Sequence, residues 1–130
     1  MTGKGGSRRW AIPEGYIPSD SVDPEDPTLV SHEAACLLNP SDQDAEIVIT
    51  IFFENREPAG PYKLRLAARR TRHLRFNDLS IPEAIPRDTA YASVIESSVP
   101  IIVQHTRLDS RNPNIALLST IAFNLEGGSD

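Results

Sequence analysis

Apolar residues in this chain recur at every second position, and prolines interrupt the runs before a helix could grow. Ala45, Ile47, Ile49, Ile51 and Phe53 follow this spacing, as do Tyr62, Leu64 and Leu66. Successive side chains of a strand point to opposite faces, so this pattern marks half-buried strands, whereas a helix would repeat at 3.6. Eleven prolines in 130 residues close off the helical alternative, because each removes a backbone donor and clashes with the preceding turn. Turn chemistry falls between the runs: NPSDQD at 39–44, ENREPAGP at 54–61, NDLSIPEAIPRD at 77–88, ESSVP at 96–100 and LDSRNPN at 108–114. Strands are therefore expected near 28–38, 45–54, 61–66, 69–76, 89–96, 100–108 and 116–123. Short antiparallel strands at that spacing define an all-β sandwich or barrel.

A chain of this length fits one domain, expected over residues 10–125. Residues 1–9 are read as a mobile arm and 126–130 as a mobile tail. The proline-rich and acidic segment Trp10 to Pro27 is expected to lie extended over one edge of the sandwich. MTGKGGSRRW has no apolar stretch behind its basic residues, so it does not read as a secretory signal, and a cytoplasmic location is the default expectation. The longest apolar run, Ile47 to Phe53, is too short to span a bilayer. Cys36 has no second thiol to pair with and reads as a core filler.

Charge is unevenly distributed. From Tyr62 to Phe76 the chain carries Lys63, Arg65, Arg69, Arg70, Arg72 and Arg75 with no acid, while Pro13 to Glu46 carries nine acids and no Lys or Arg. Such separation points to a binding surface or subunit contact, or to strand positions that discourage edge pairing. A formal charge of −5 argues against nucleic acid as the main partner, which leaves DNA contact through the basic run as a third and weaker reading.

No GxSxG elbow, cysteine-protease segment or phosphate-binding glycine loop is present, and the paired acids Asp42 and Asp44 sit in a turn where they favour local backbone bonds. Neither a catalytic residue nor a cofactor is therefore assigned. His32, His73 and His105 raise a zinc reading, since three imidazoles and a water complete a catalytic site. Their spacing is not diagnostic, so they are read as hydrogen-bonding groups and no metal ligand is assigned. Alternation places Thr71, His73 and Arg75 on the face opposite Leu74 and Phe76, and separates Val103, His105 and Arg107 from Ile102, Gln104, Thr106 and Leu108. Gln104 to Arg107 should lie near a rim. Trp10 either stacks on a ligand or caps the sandwich, the latter being preferred.

The strings WAIPEGYIP (10–18), SHEAACLLNPSDQDAEIVITIFF (31–53), EPAGPYKLRLAARRTRHLRFNDL (57–79), DTAYASVIESSVPIIVQHTRLDSR (88–111) and ALLSTIAF (116–123) closely resemble the Anabaena sensory rhodopsin transducer family, in the same order along nearly the whole chain. The resemblance implies a β-sandwich with jelly-roll-like topology, a small soluble cytoplasmic protein and a ring-shaped homotetramer. It also implies a non-enzymatic signalling role, coupled to the cytoplasmic side of a membrane-embedded microbial rhodopsin or another receptor. The wider superfamily implies an alternative, a sensor of a small polar or sugar-like ligand. Matching the family's polar motif positions gives Trp10, Glu14, His32, Glu33, Arg69, Thr71, His73, Arg75, Gln104, His105 and Arg107 as candidate ligand-binding residues. Within this set Arg75 and Arg107 are expected to act together with His73 and His105 as one donor cluster.

Overall fold

The computed structural model describes residues 6–126. Eight antiparallel strands are found among them: β1 (Ser7–Tyr16), β2 (His32–Asn39), β3 (Ala45–Phe53), β4 (Ala59–Leu66), β5 (Arg70–Arg75), β6 (Ala90–Asp109), β7 (Ala116–Ile121) and β8 (Phe123–Asn124), with one short 3-10 turn at Phe76–Asp78. They form an all-β sandwich. One sheet has the order β4-β3-β6-β1-β8 and the other β5-β2-β6-β7, so β6 belongs to both.

The sharing of β6 corrects the expectation of two strands split by a turn at ESSVP. Tyr91 to Ser97 pair with β3 and Ile102 to Leu108 pair with β2, in one continuous strand of 20 residues. Between these halves Ser7 faces Ile101 and Arg9 faces Glu96, so residues 97–100 stand opposite Arg8 alone. Pro100, which has no N–H for a ladder, sits where one set of pairings ends and the next begins. Strands pass from one sheet to another through such bends.

The segment Trp10 to Pro27 is also corrected. Its first part is an interior strand flanked by β6 and β8, with Trp10 and Ile12 turned into the core. A bulge tolerates Pro13: Ile12 faces Ser93 and Gly15 faces Tyr91, leaving Pro13 and Glu14 opposite Ala92. The arm expected at 1–9 overlaps this strand from Ser7 onward, and Glu126 of the expected tail accepts hydrogen bonds from the Ser7 hydroxyl and the Arg8 N–H, both at 2.8 Å. The rest of both expectations, residues 1–5 and 127–130, lies outside the described residues.

Between the sheets lies the core. Ile47, Ile49, Ile51, Tyr62 and Ile95 meet Ala35, Leu37, Ile101 and Val103. Each fully buried branched side chain contributes about 1.5–3 kcal/mol of transfer free energy, which makes this interlayer the main stabilising term.

Candidate functional site

At one end of the interlayer the apolar core gives way to charge. Glu33, on the inward face of β2, is fully buried. Its Oε1 lies 2.5 Å from His105 Nε2, while its Oε2 accepts from Arg107 Nε at 2.5 Å and from the Tyr16 backbone N–H at 3.0 Å. His105 and Arg107 come from the part of β6 that pairs with β2, and Tyr16 ends β1 in the opposite sheet. One carboxylate thereby ties the two layers together. Its charge is offset by the guanidinium, the arrangement a buried anion requires.

Arg107 reaches past Glu33 to an open cleft of about 310 Å³ whose lining includes Glu14, Gly15, Tyr16, Asp109 and Arg111. Ala90 lines it as well, so the bend in β6 brings both ends of that strand to one opening. Glu14, carried outward by the bulge, stands 3.9 Å from Arg107. Arg111 makes a paired contact with Asp109, Nη2 to Oδ2 at 2.6 Å, and lies over the Tyr16 ring at 5.5 Å from its centroid. That ion pair holds the Asp109 carboxyl below the usual carboxylate range. Behind the cleft the Tyr91 hydroxyl is enclosed and has no hydrogen-bond partner among the described residues. Burial pushes its phenol up, and the Glu33 charge adds to the effect. Gly15 covers this ring so closely that a Cβ there would lie 2.4 Å from Tyr91 Cζ.

The eleven candidate residues do not form one site. Glu33, His105 and Arg107 converge, with Glu14 at the margin. Thr71, His73, Arg75, Gln104 and His32 occupy the outer face of the β5-β2-β6-β7 sheet, where His73 faces Cys36 and Cys36 faces Gln104 in one cross-strand row. The donor cluster expected from Arg75, Arg107, His73 and His105 is thus divided by the thickness of a sheet. Arg75 donates to the Pro27 carbonyl at 3.0 Å and His32 Nδ1 lies 2.7 Å from the Val30 carbonyl oxygen, both local ties of the 17–31 segment. Arg69, at φ 58°, pairs with Asp42 at 2.9 Å. Trp10 is buried, and its N–H lies 3.0 Å from both the Ser7 and the Ile101 carbonyl oxygens. It caps the corner of β6. Among the described residues no group of three or more His, Cys, Asp or Glu side chains is arranged to hold a metal. Tyr16, Tyr91, Asp109 and Arg111 escaped the sequence reading. The last two lie in LDSRNPN, whose Asp, Ser and Asn signalled only a turn.

Two cations of the basic run, Arg65 and Arg69, pair with acids of the acidic segment. Arg65 lies 3.1 Å from Glu46 and 3.6 Å from Asp44, so the turn before β3 returns acids onto β4 and the following turn. These pairs are exposed and contribute little to stability, but they reduce the free positive charge on that face.

The family model for the Anabaena sensory rhodopsin transducer matches residues 5–124, and the chain belongs to that family. A solved structure described as Anabaena sensory rhodopsin transducer is 51% identical, with 78% of this chain and 96% of that one covered and a TM-score of 0.67. Another, described as Thermotoga maritima 1070, is 34% identical over 96% of this chain and 100% of that one, with a TM-score of 0.83. Among curated proteins none matches the chain. No helix among the described residues is long and apolar enough to cross a membrane.

Proposed function

We propose that this chain is a non-enzymatic cytoplasmic signalling protein that relays the state of a receptor through protein–protein contact, as a ring-shaped homotetramer. A membrane-embedded microbial rhodopsin is the partner to which the family points. The observation that carries the reading is β7. All six of its residues are exposed, including Leu117 at 69%, Leu118 at 47% and Ile121 at 60%. Apolar side chains on both faces of an edge strand are what a subunit or partner contact requires, and they are a liability otherwise. The ion pairing of Arg65 and Arg69 leaves the DNA reading with less free positive charge. Calorimetry and photocycle kinetics with a reconstituted microbial rhodopsin provide the test. A stoichiometric complex whose affinity changes with illumination is expected, and failure of the intact assembly to bind at micromolar concentration overturns the rhodopsin assignment.

A second reading, capture of a small polar or sugar-like molecule, is supported by the cleft above Glu33. There Arg107 and Glu14 offer donors and acceptors around Tyr16, backed by an unpartnered hydroxyl. Arg107→Ala should abolish a thermal shift produced by such a ligand, and Arg75→Ala should leave it intact.

A further inference from the structure

On the other side of the Glu33 cluster, β7 leaves β6, the Ala122 N–H bonds the Val103 carbonyl at 3.0 Å, and Phe123 pairs with Ala11 in the opposite sheet. The crossing leaves a slot of about 310 Å³ walled by Ile12, Pro13, Ile121, Ala122 and Phe123, with His105 and Thr120 supplying the polar side chains in its lining. We propose that this slot binds a small apolar molecule carrying one hydroxyl group, whose hydrogen His105 Nδ1 accepts.

The tautomer follows from the cluster. Glu33 Oε2 accepts from the Arg107 guanidinium and the Tyr16 N–H, the pairing of a carboxylate, and Oε1 of a carboxylate can only accept. Nε2 of His105 therefore holds a hydrogen, and in the neutral ring Nδ1 presents a lone pair. Nδ1 has no hydrogen-bond partner among the described residues and is not among the fully enclosed unpaired atoms, although His105 is only 7% exposed. His105 lines this apolar space with one ring nitrogen unpartnered, and such a nitrogen favours a ligand that combines a hydroxyl with an apolar body, because a ligand without the hydroxyl leaves it desolvated and unpaired. A hydroxyl on an aromatic or aliphatic frame meets both requirements. The proposal does not rest on the relay reading, although the slot shares Thr120 and Ile121 with the β7 edge, so p-cresol binding is read together with the light-scattering mass of the chain.

The probes are p-cresol and toluene, which share a frame and differ by the hydroxyl. Titration of the full chain is expected to give about tenfold tighter binding for p-cresol. The 15N resonance of His105 Nδ1 should move toward the hydrogen-bonded range with p-cresol alone. His105→Ala would leave the buried Glu33 Oε1 without its partner and endanger folding, so the slot is instead blocked by Thr120→Trp at an exposed position. Loss of p-cresol binding with an unchanged circular dichroism spectrum is expected. Equal affinity for the two probes, binding of neither at millimolar concentration, or p-cresol binding that survives Thr120→Trp each overturns the proposal. Should the variant fail to fold, the His105 nitrogen signal of the unaltered chain decides alone.

Discussion

Glu33 couples the two layers because three donors from two sheets converge on a carboxylate that water does not reach. Truncation would strand a guanidinium and an imidazole N–H as well as opening a void, so Glu33→Ala should lose about 3–5 kcal/mol in urea unfolding. Tyr91 should behave in the opposite way. Its enclosed hydroxyl makes no bond among the described residues, so Tyr91→Phe removes a desolvated polar group and should gain about 1 kcal/mol. A loss of stability instead would mean that a water or ligand satisfies the hydroxyl. The pH dependence has a definite sign. Burial raises the folded Tyr91 phenol above its ordinary value of 10.0, so above that pH the unfolded chain ionises while the folded one keeps its proton. Stability is therefore fully present below pH 10 and falls as pH rises beyond it. Tyr91→Phe should flatten this alkaline fall, leaving the part due to Tyr62, whose phenol burial also raises.

At the scale of elements, β1 depends on Gly15, whose backbone rests on the Tyr91 ring. Gly15→Ala should lose about 1–3 kcal/mol by overpacking, and the penalty should nearly vanish in a Tyr91→Ala background, a coupling that a double-mutant cycle in urea measures. An unchanged penalty would place the cost in the backbone. The same strand shows where sequence reading stops. Strands β2 to β5 and β7 were legible because alternation and turn residues agree over them. Pro13 and the acids beyond it made β1 look like a covering segment, since a bulge that hides a missing donor leaves no local trace in the sequence. Pro100, close behind Ser97 and Ser98, made the bend in β6 look like a turn. Alternation correctly put His105 and Arg107 on one face of their strand and His73 and Arg75 on one face of theirs. Whether the two faces coincide depends on strand order, which periodicity does not encode. The contact of Glu33 with Tyr16 across the layers was equally out of reach.

For the molecule as a whole, the two faces of the β5-β2-β6-β7 sheet end at an edge that is apolar on both sides. Leu117 and Ile121 project outward beside Leu108 and Gln104, while Leu118 projects inward at the mouth of the sandwich. A monomer would hold these groups in water, whereas the proposed homotetramer, if closed through β7, would remove them together with its free edge. Replacing Leu117 by Lys introduces a charge that is harmless on a solvated edge and costly in a buried contact. Leu117→Lys should therefore leave the unfolding transition of the isolated chain within about 0.5 kcal/mol, as for a surface substitution. In the proposed homotetramer, one such unpaired charge per subunit should shift light-scattering mass toward the monomer at micromolar concentration. The charged outer face of the other sheet supplies the control, because Arg9 there pairs with Glu96 at 3.2 Å in an exposed contact. Arg9→Ala should leave the mass unchanged. If Leu117→Lys keeps the mass of the unaltered chain, β7 is not the subunit contact, and its apolar residues are available to a receptor.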